Sequence, residues 1–306
     1  MLPGMYARST TKPSIAIVGS GNLASALALA LRQAGYAVGL ILSRKGGASL
    51  RRARRLARQM GSSAAAVSGS HTLIVNADVV WFCVPDAAIA GAAQDFCRAV
   101  DWKAADWRKK VALHSSGALT SDELACLRAL GAAVASVHPL MTFVRGSRPS
   151  LSGVPFAIEG GASALRAARG IIRKIGGSAY VIRKEDKTAY HAWGTFASPL
   201  LTALLVTGER VAKAAGVKRK SARRRMLPML EQTLANYAVS EGRGIFSGPI
   251  IRGDVDTVKR HLQALSQMPI AREVYVALAR AALAYLPGKN KKLMVKELRS
   301  ALRSRG

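Results

Sequence analysis

The stretch Ser14-Ile15-Ala16-Ile17-Val18-Gly19-Ser20-Gly21-Asn22-Leu23-Ala24 decides the fold. A β-branched run (Ile15, Ile17, Val18) feeds a G-x-G-x-x-A turn. An apolar helical pattern then runs to Gly35, a suitable C-terminal cap. In such a turn Gly19 permits the tight bend, Gly21 lets backbone approach a pyrophosphate, and Ala24 lets helix and strand close up. The helix opening at Asn22 and Leu23 presents N–H groups and a positive dipole end to phosphates. The turn alone is a weak signal; the strand before it and the helix after it are the context that dinucleotide binding requires. The alternative is an ordinary strand–turn–helix with small residues.

At 306 residues the chain can hold two domains, each with a full core. Half of its residues are hydrophobic, which excludes a disordered chain. No apolar run reaches the roughly 18–20 residues of a membrane span, and residues 1–14 lack a signal peptide's apolar segment. Cys83, Cys97 and Cys126 are odd in number with no ligand-like spacing. They read as reduced thiols of a cytoplasmic protein, with no metal site expected. The 46 Lys and Arg against 17 Asp and Glu give a net charge of +29, which favours anionic ligands. The basic clusters at Arg44–Arg58, Lys218–Arg225 and Lys289–Arg305 lack interleaved aromatics. They read as solvated faces, with no specific nucleic-acid binding expected.

Ala37 to Leu42 reads as the second strand. An NAD site would place an acid beyond it, but Ser43-Arg44-Lys45 stands there. A hydroxyl and two cations suit a 2′-phosphate, so NADP is the expected cofactor. The alternative is that Arg44 and Lys45 merely begin the basic helix Ala48–Met60. Ala64–Val67 and Thr72–Val75 are short and ambiguous. Residues 78–85 form a buried strand whose end, Val84-Pro85-Asp86, falls where open parallel sheets bind ligands. Asp86 is read equally as a cofactor contact or a helix cap. Further strands end in His114-Ser115-Ser116-Gly117 and His138-Pro139-Leu140, so two successive histidines share one sheet edge. With Pro155–Glu159 and Ser178–Ile182 the sheet reaches about eight strands. From Glu185 onward the pattern is helical, with stretches at residues 187–215, 222–241, 255–265 and 270–285 and a charged tail beyond. The expected division is a Rossmann domain at residues 1–184 and an all-helical domain at 185–306. The fold class is thus a mostly parallel, doubly wound α/β sheet followed by an all-α part.

These motifs, with Tyr190-His191-Ala192 and Ser247-Gly248-Pro249 to Arg252-Gly253-Asp254, occur in an order that resembles a family of Rossmann-like proteins of unassigned reaction. Its C-terminal domain is similar to that of 6-phosphogluconate dehydrogenase and pyrroline-5-carboxylate reductase. The resemblance spans about residues 12 to 285. It implies NADP binding, a helical dimerisation domain and oxidoreductase activity on a small molecule, and it supplies no substrate. One departure is Ser198-Pro199, where the family would place Asn; Pro199 is expected to kink its helix.

Hydride transfer to a carbonyl or imine needs a positioned nicotinamide and a proton donor. The related β-hydroxyacid dehydrogenases use Lys with Asn four residues later, and this chain has Lys187 with His191, which share a helix face. These two are the catalytic candidates, Lys187 alternatively being a solvated lysine and His191 a core histidine. Gly19, Gly21, Asn22, Leu23, Ser43, Arg44, Val84, Pro85, Asp86, His114 and Ser115 are assigned to the cofactor. Ser116, His138, Tyr190, Arg252 and Asp254 are assigned to a small, anionic substrate; Asp254 is read equally as a helix cap. Arg252 would clamp a carboxylate. The expected protein is an NADP-dependent oxidoreductase that dimerises through its helical domain. The rivals are a non-catalytic NADP-binding sensor and a basic nucleic-acid-associated protein.

Overall fold

Ile15, Ala16, Ile17 and Val18 are all within 1% of complete burial, so both faces of this strand are covered, as a parallel sheet demands. The protein is seen in a computed structural model that describes residues 12–43, 47–67, 76–99, 106–147, 149–239 and 247–303. It divides into two compact units, residues 1–195 and 196–306. The boundary thus falls 11 residues later than the expected division, and the helix Lys187–Thr195 stays with the sheet.

The first unit holds an eight-stranded sheet: β1 (Ile15–Val18), β2 (Val38–Ser43), β3 (Ser63–Ala66), β4 (Val79–Phe82), β5 (Val111–His114), β6 (Ala133–Pro139), β7 (Pro155–Gly160) and β8 (Ser178–Val181). Their order is β3-β2-β1-β4-β5-β6-β7-β8, and every pair is parallel except β6–β7. Thr72–Val75, short and ambiguous in sequence, lies outside the described residues. The helices are α1 (Asn22–Gln33), α2 (Ala48–Met60), α3 (Ile89–Ala99), α4 (Ala125–Ala129), α5 (Ala162–Lys174) and α6 (Lys187–Thr195). Apolar side chains of the central strands alternate into two cores. One gathers Leu27, Leu31, Trp81 and Phe156, and the other Phe82, Phe96 and Trp107. Each such burial contributes roughly 1.5–3 kcal/mol relative to exposure. The order reverses direction between β1 and β4, so the switch point lies beside the glycine turn.

The second unit contains α7 (Leu201–Ala214), α8 (Arg219–Val239), α9 (Pro249–Arg252), α10 (Val255–Ala264), α11 (Pro269–Tyr285) and α12 (Lys291–Arg303). Pro199 lies in a single π-helical turn, Phe196–Leu200, which accommodates its missing N–H. The residues read as a charged tail form α12. Met294 and Leu298, four apart, are both fully buried against Val258, Leu262, Val276 and Leu283. Among the described residues no helix is long and apolar enough to cross a membrane.

Candidate functional site

The turn after β1 is built by exclusion. Gly19 sits at φ +124°, and a Cβ there would overlap the carbonyl oxygen of Cys83 and lie 2.8 Å from its carbon. The backbone of β1 thus reaches the end of β4 at a distance that only glycine allows. Two residues on, a Cβ at Gly21 would meet nothing within 4 Å, so the space above the helix start is open. Gly21 is the N-cap of α1, whose first turn has neither a side-chain cap nor an acid. Its first N–H groups therefore suit an anion from outside. The Asn22 amide donates to the Phe143 carbonyl at 3.2 Å, which ties the helix start to the segment after β6. Ser43 ends β2 fully buried; Arg44 and Lys45 lie outside the described residues. Val84 and Pro85 leave the end of β4, Val84 lying 3.4 Å from the Cβ position of Gly19. The residues present fit a dinucleotide pyrophosphate at this turn.

At the same carboxyl edge, β5 ends in a turn held by its own side chains and by Asp86, Trp81, Ser136 and Lys187. His114 is completely buried, accepts the Ser116 N–H at Nδ1 (3.1 Å) and donates from Nε2 to the Thr120 carbonyl (2.9 Å). Those partners fix a neutral ring, and burial pushes its pKa down to about 4. The Ser116 hydroxyl accepts the N–H groups of Ala118 and Leu119 and donates to Asp86 at 2.8 Å. Ser115 accepts the Trp81 indole N–H at 2.8 Å. Two sequence assignments are corrected here. His114 has no ring nitrogen left for a cofactor, and the Ser116 hydroxyl is engaged within its own turn. Asp86 is exposed and neither caps the following turn nor stands alone: its carboxylate holds Ser116.

Lys187 is the unexpected member. It opens α6, where a solvated lysine was the alternative, yet it is only 1% exposed. Its ammonium donates to Ser136 Oγ (2.7 Å) and to the Ser116 carbonyl (3.2 Å), and Ser136 donates to the same carbonyl at 2.9 Å. Two of its three donors are thus spent on β6 and on the turn after β5. Burial lowers its pKa to about 8, opposed by the charges of Glu159 and Asp86. Glu159 is itself buried and held by the Ser121 N–H and hydroxyl at 2.7 and 2.9 Å. The catalytic assignment of Lys187 is therefore corrected: its ammonium is buried and bonded inward, away from solvent.

His138 takes that place. Its Nδ1 faces the Tyr190 hydroxyl at 2.8 Å, and its ring meets His191 edge-on with centroids 6.2 Å apart. Between the two imidazoles sits Gly117: a Cβ there would lie 2.9 Å from His138 Nε2 and 2.8 Å from His191 Cδ2. Burial and then the Lys187 charge press the His138 pKa down to about 4, so the ring is neutral at ordinary pH. Burial also raises the Tyr190 phenol, which stays protonated. His191 is exposed. The sequence assigned no role to Ser136, Glu159 or Gly117, which are ordinary sheet and turn residues until the fold brings them to Lys187 and His138.

In the second unit Asp254 is an N-cap, accepting the Thr257 N–H at 3.2 Å and its hydroxyl at 2.8 Å. This is the structural alternative given for it above. Arg252 is exposed at the end of α9.

Residues 14–105 match the family model described as NADP oxidoreductase coenzyme F420-dependent, and residues 154–282 match the domain of unknown function DUF2520. No curated protein matches the chain. Among solved structures, a candidate NADP oxidoreductase from Bacteroides fragilis aligns over 88% of this chain and 97% of its own. It is 20% identical, with a TM-score of 0.71. A Thermotoga maritima protein aligns over 94% and 100% at 24% identity and a TM-score of 0.65. An imine reductase from Myxococcus stipitatus in complex with NADP+ aligns over 94% and 100% at 14% identity and 0.63. These likenesses establish the fold, a Rossmann unit joined to helices.

Proposed function

We propose, for a chain that joins an NADP oxidoreductase segment to a DUF2520 segment, an NADP(H)-dependent oxidoreductase acting on a small, anionic carbonyl or imine compound. One observation carries this reading. The uncapped start of α1 and the His138–Tyr190 pair stand at the same edge of one parallel sheet. NADP(H) bound there would supply or accept a hydride at its nicotinamide carbon C4. The N–H groups opening α1 hold the pyrophosphate; Arg44 and Lys45 take the 2′-phosphate on the strength of their sequence position. His138 Nε2 orients the substrate heteroatom and exchanges a proton with it, Tyr190 fixes the ring from behind, and exposed His191 passes that proton to solvent. Lys187 acts as a positioning residue that holds the turn and keeps His138 neutral. The three free cysteines fit a reducing, cytoplasmic setting.

Calorimetry with NADPH, NADH and coenzyme F420 tests the cofactor, followed by NADPH oxidation against keto acids and cyclic imines. We expect NADPH to bind at least about tenfold tighter than NADH, a difference of about 1.4 kcal/mol. Equal affinities would remove the 2′-phosphate assignment, and no nicotinamide binding at all would remove the function.

The second unit is proposed to dimerise. Along α8 Leu227, Met229, Leu234, Tyr237 and Val239 are exposed, Val239 by 84%, and Ala222 alone among its described side chains is buried. An apolar cavity of about 580 Å³ opens among Leu204, Val211, Leu265, Val274 and Leu278. Exposed apolar surface on this scale marks an interface. Light scattering at micromolar protein is expected to give twice the mass of the chain, and a monomer stable to dilution would refute it.

A further inference from the structure

The first acidic residue of the chain is Asp78, and α2 lies inside the acid-free stretch before it. This helix is amphipathic in an unusual sense. Ala53, Leu56 and Ala57 are buried, whereas Arg51, Arg52, Arg54, Arg55 and Arg58 are all exposed. Among the described residues none of the five joins an ion pair. Arg51, Arg54, Arg55 and Arg58 follow the i, i+3, i+4, i+7 spacing of one helix face. They line an open cavity of about 400 Å³ with Ser62 and Ala64, beside the edge strand β3.

We propose that this arginine face binds the phosphate backbone of duplex nucleic acid, independently of sequence. The four guanidinium groups span roughly 10 Å of helix axis, a length over which a duplex carries about six phosphate charges. Guanidinium forks suit phosphate oxygens and hold their charge at every working pH. Two features choose among polyanions. Residues 47–67 contain no Phe, Tyr or Trp, so the stacking platform of a single-strand binder is missing. No large hydrophobic side chain in that segment is exposed, so an anionic membrane gains no inserted anchor. Phosphate contacts made without base contacts fix register and carry no sequence information.

Arg55 also lines, with Arg52, a second cavity beside Ser20, Asn22 and Ser25 at the glycine turn. The test therefore spares both. Fluorescence anisotropy of a labelled random-sequence duplex is followed over a salt series with the full chain. Three proteins are compared with the parent: Arg51→Ala with Arg54→Ala and Arg58→Ala, the same three positions changed to Lys, and a control with Lys220→Ala, Arg224→Ala and Lys292→Ala. The alanine triple should lower the slope of log affinity against log salt by about 2–3, near 0.9 for each lost contact. The lysine triple should keep most of that slope, and the control, which removes equal charge, should leave it nearly unchanged. NADPH affinity should be the same in all four. An unchanged slope in the alanine triple overturns the site, as does an equal loss in the control, which would mean net charge alone. Loss of NADPH affinity would assign the patch to the cofactor site instead. Patch-dependent binding to phosphatidylserine vesicles without duplex binding would replace nucleic acid with a membrane.

Discussion

Gly19→Ala is expected to abolish NADP(H) binding and to lower stability by on the order of 3 kcal/mol. A side chain at φ +124° is strained in its own backbone, at a cost of about 1–3 kcal/mol. The new Cβ also overlaps the Cys83 carbonyl oxygen, which is rigid backbone and cannot rotate away. Relief requires β1 or the end of β4 to move, and overpacking of that kind costs about another 1–3 kcal/mol. Gly21→Ala is the informative companion. Gly21 lies at φ −78°, ψ −172°, which any residue adopts, and its Cβ would meet nothing within 4 Å. Its stability should change by less than about 0.5 kcal/mol, whereas NADPH affinity should fall by at least about tenfold, because the methyl enters the space assigned to the pyrophosphate. Urea unfolding and calorimetry on both variants separate the two effects. A stable Gly19→Ala protein, or a Gly21→Ala protein that binds NADPH normally, would contradict the turn as described.

The sheet was legible because its signals are local. The β-branched run of β1, the turn glycines and the continuous apolar strand at 78–85 report their own environments, so strand count and edge followed directly. The direction of the β6–β7 pair was not legible. β7 runs antiparallel to β6, and nothing in Pro155-Phe156-Ala157-Ile158 distinguishes that from a parallel neighbour. The α12 helix was missed because its Lys and Arg content masks Met294 and Leu298, whose spacing of four is the signal that was present. The site was half legible. Spacing placed Lys187, Tyr190 and His191 on one helix, but helical periodicity cannot say how far a long side chain reaches inward. Lys187 is buried because Ser136 of β6 and the Ser116 carbonyl supply acceptors, and those come from 51 and 71 residues away. No local pattern encodes a partner at that separation.

His138→Ala is expected to lower kcat by about 10²–10⁴, the usual range for a positioned acid–base group, with NADPH affinity nearly unchanged. The geometry is specific: Nδ1 is held by Tyr190 at 2.8 Å, so Nε2 is the nitrogen left to face a substrate atom beside Gly117. Tyr190→Phe removes that hold while keeping the ring contacts, and a smaller loss in kcat should follow. Lys187→Met supplies the readout that a purely structural role would not move. The ammonium is one of the causes that depress the His138 pKa to about 4, after burial. Removing it favours the protonated ring, so the acidic limb of the rate profile should move upward from about 4 toward neutrality. In the parent, Lys187 loses its proton only near pH 8, well above the range in which His138 titrates, so its charge is present throughout the acidic limb. Stability follows the opposite logic for His138 itself. Its folded pKa lies below the unfolded value of 6.5, so the unfolded chain binds more protons between about pH 6.5 and 4. Stability therefore falls as pH falls through that window, and completely buried His114 adds to the loss with the same sign. An acidic limb in Lys187→Met that coincides with the parent's would leave the lysine a packing residue and sever its link to His138. Full activity in His138→Ala would return the proton transfer to some other group.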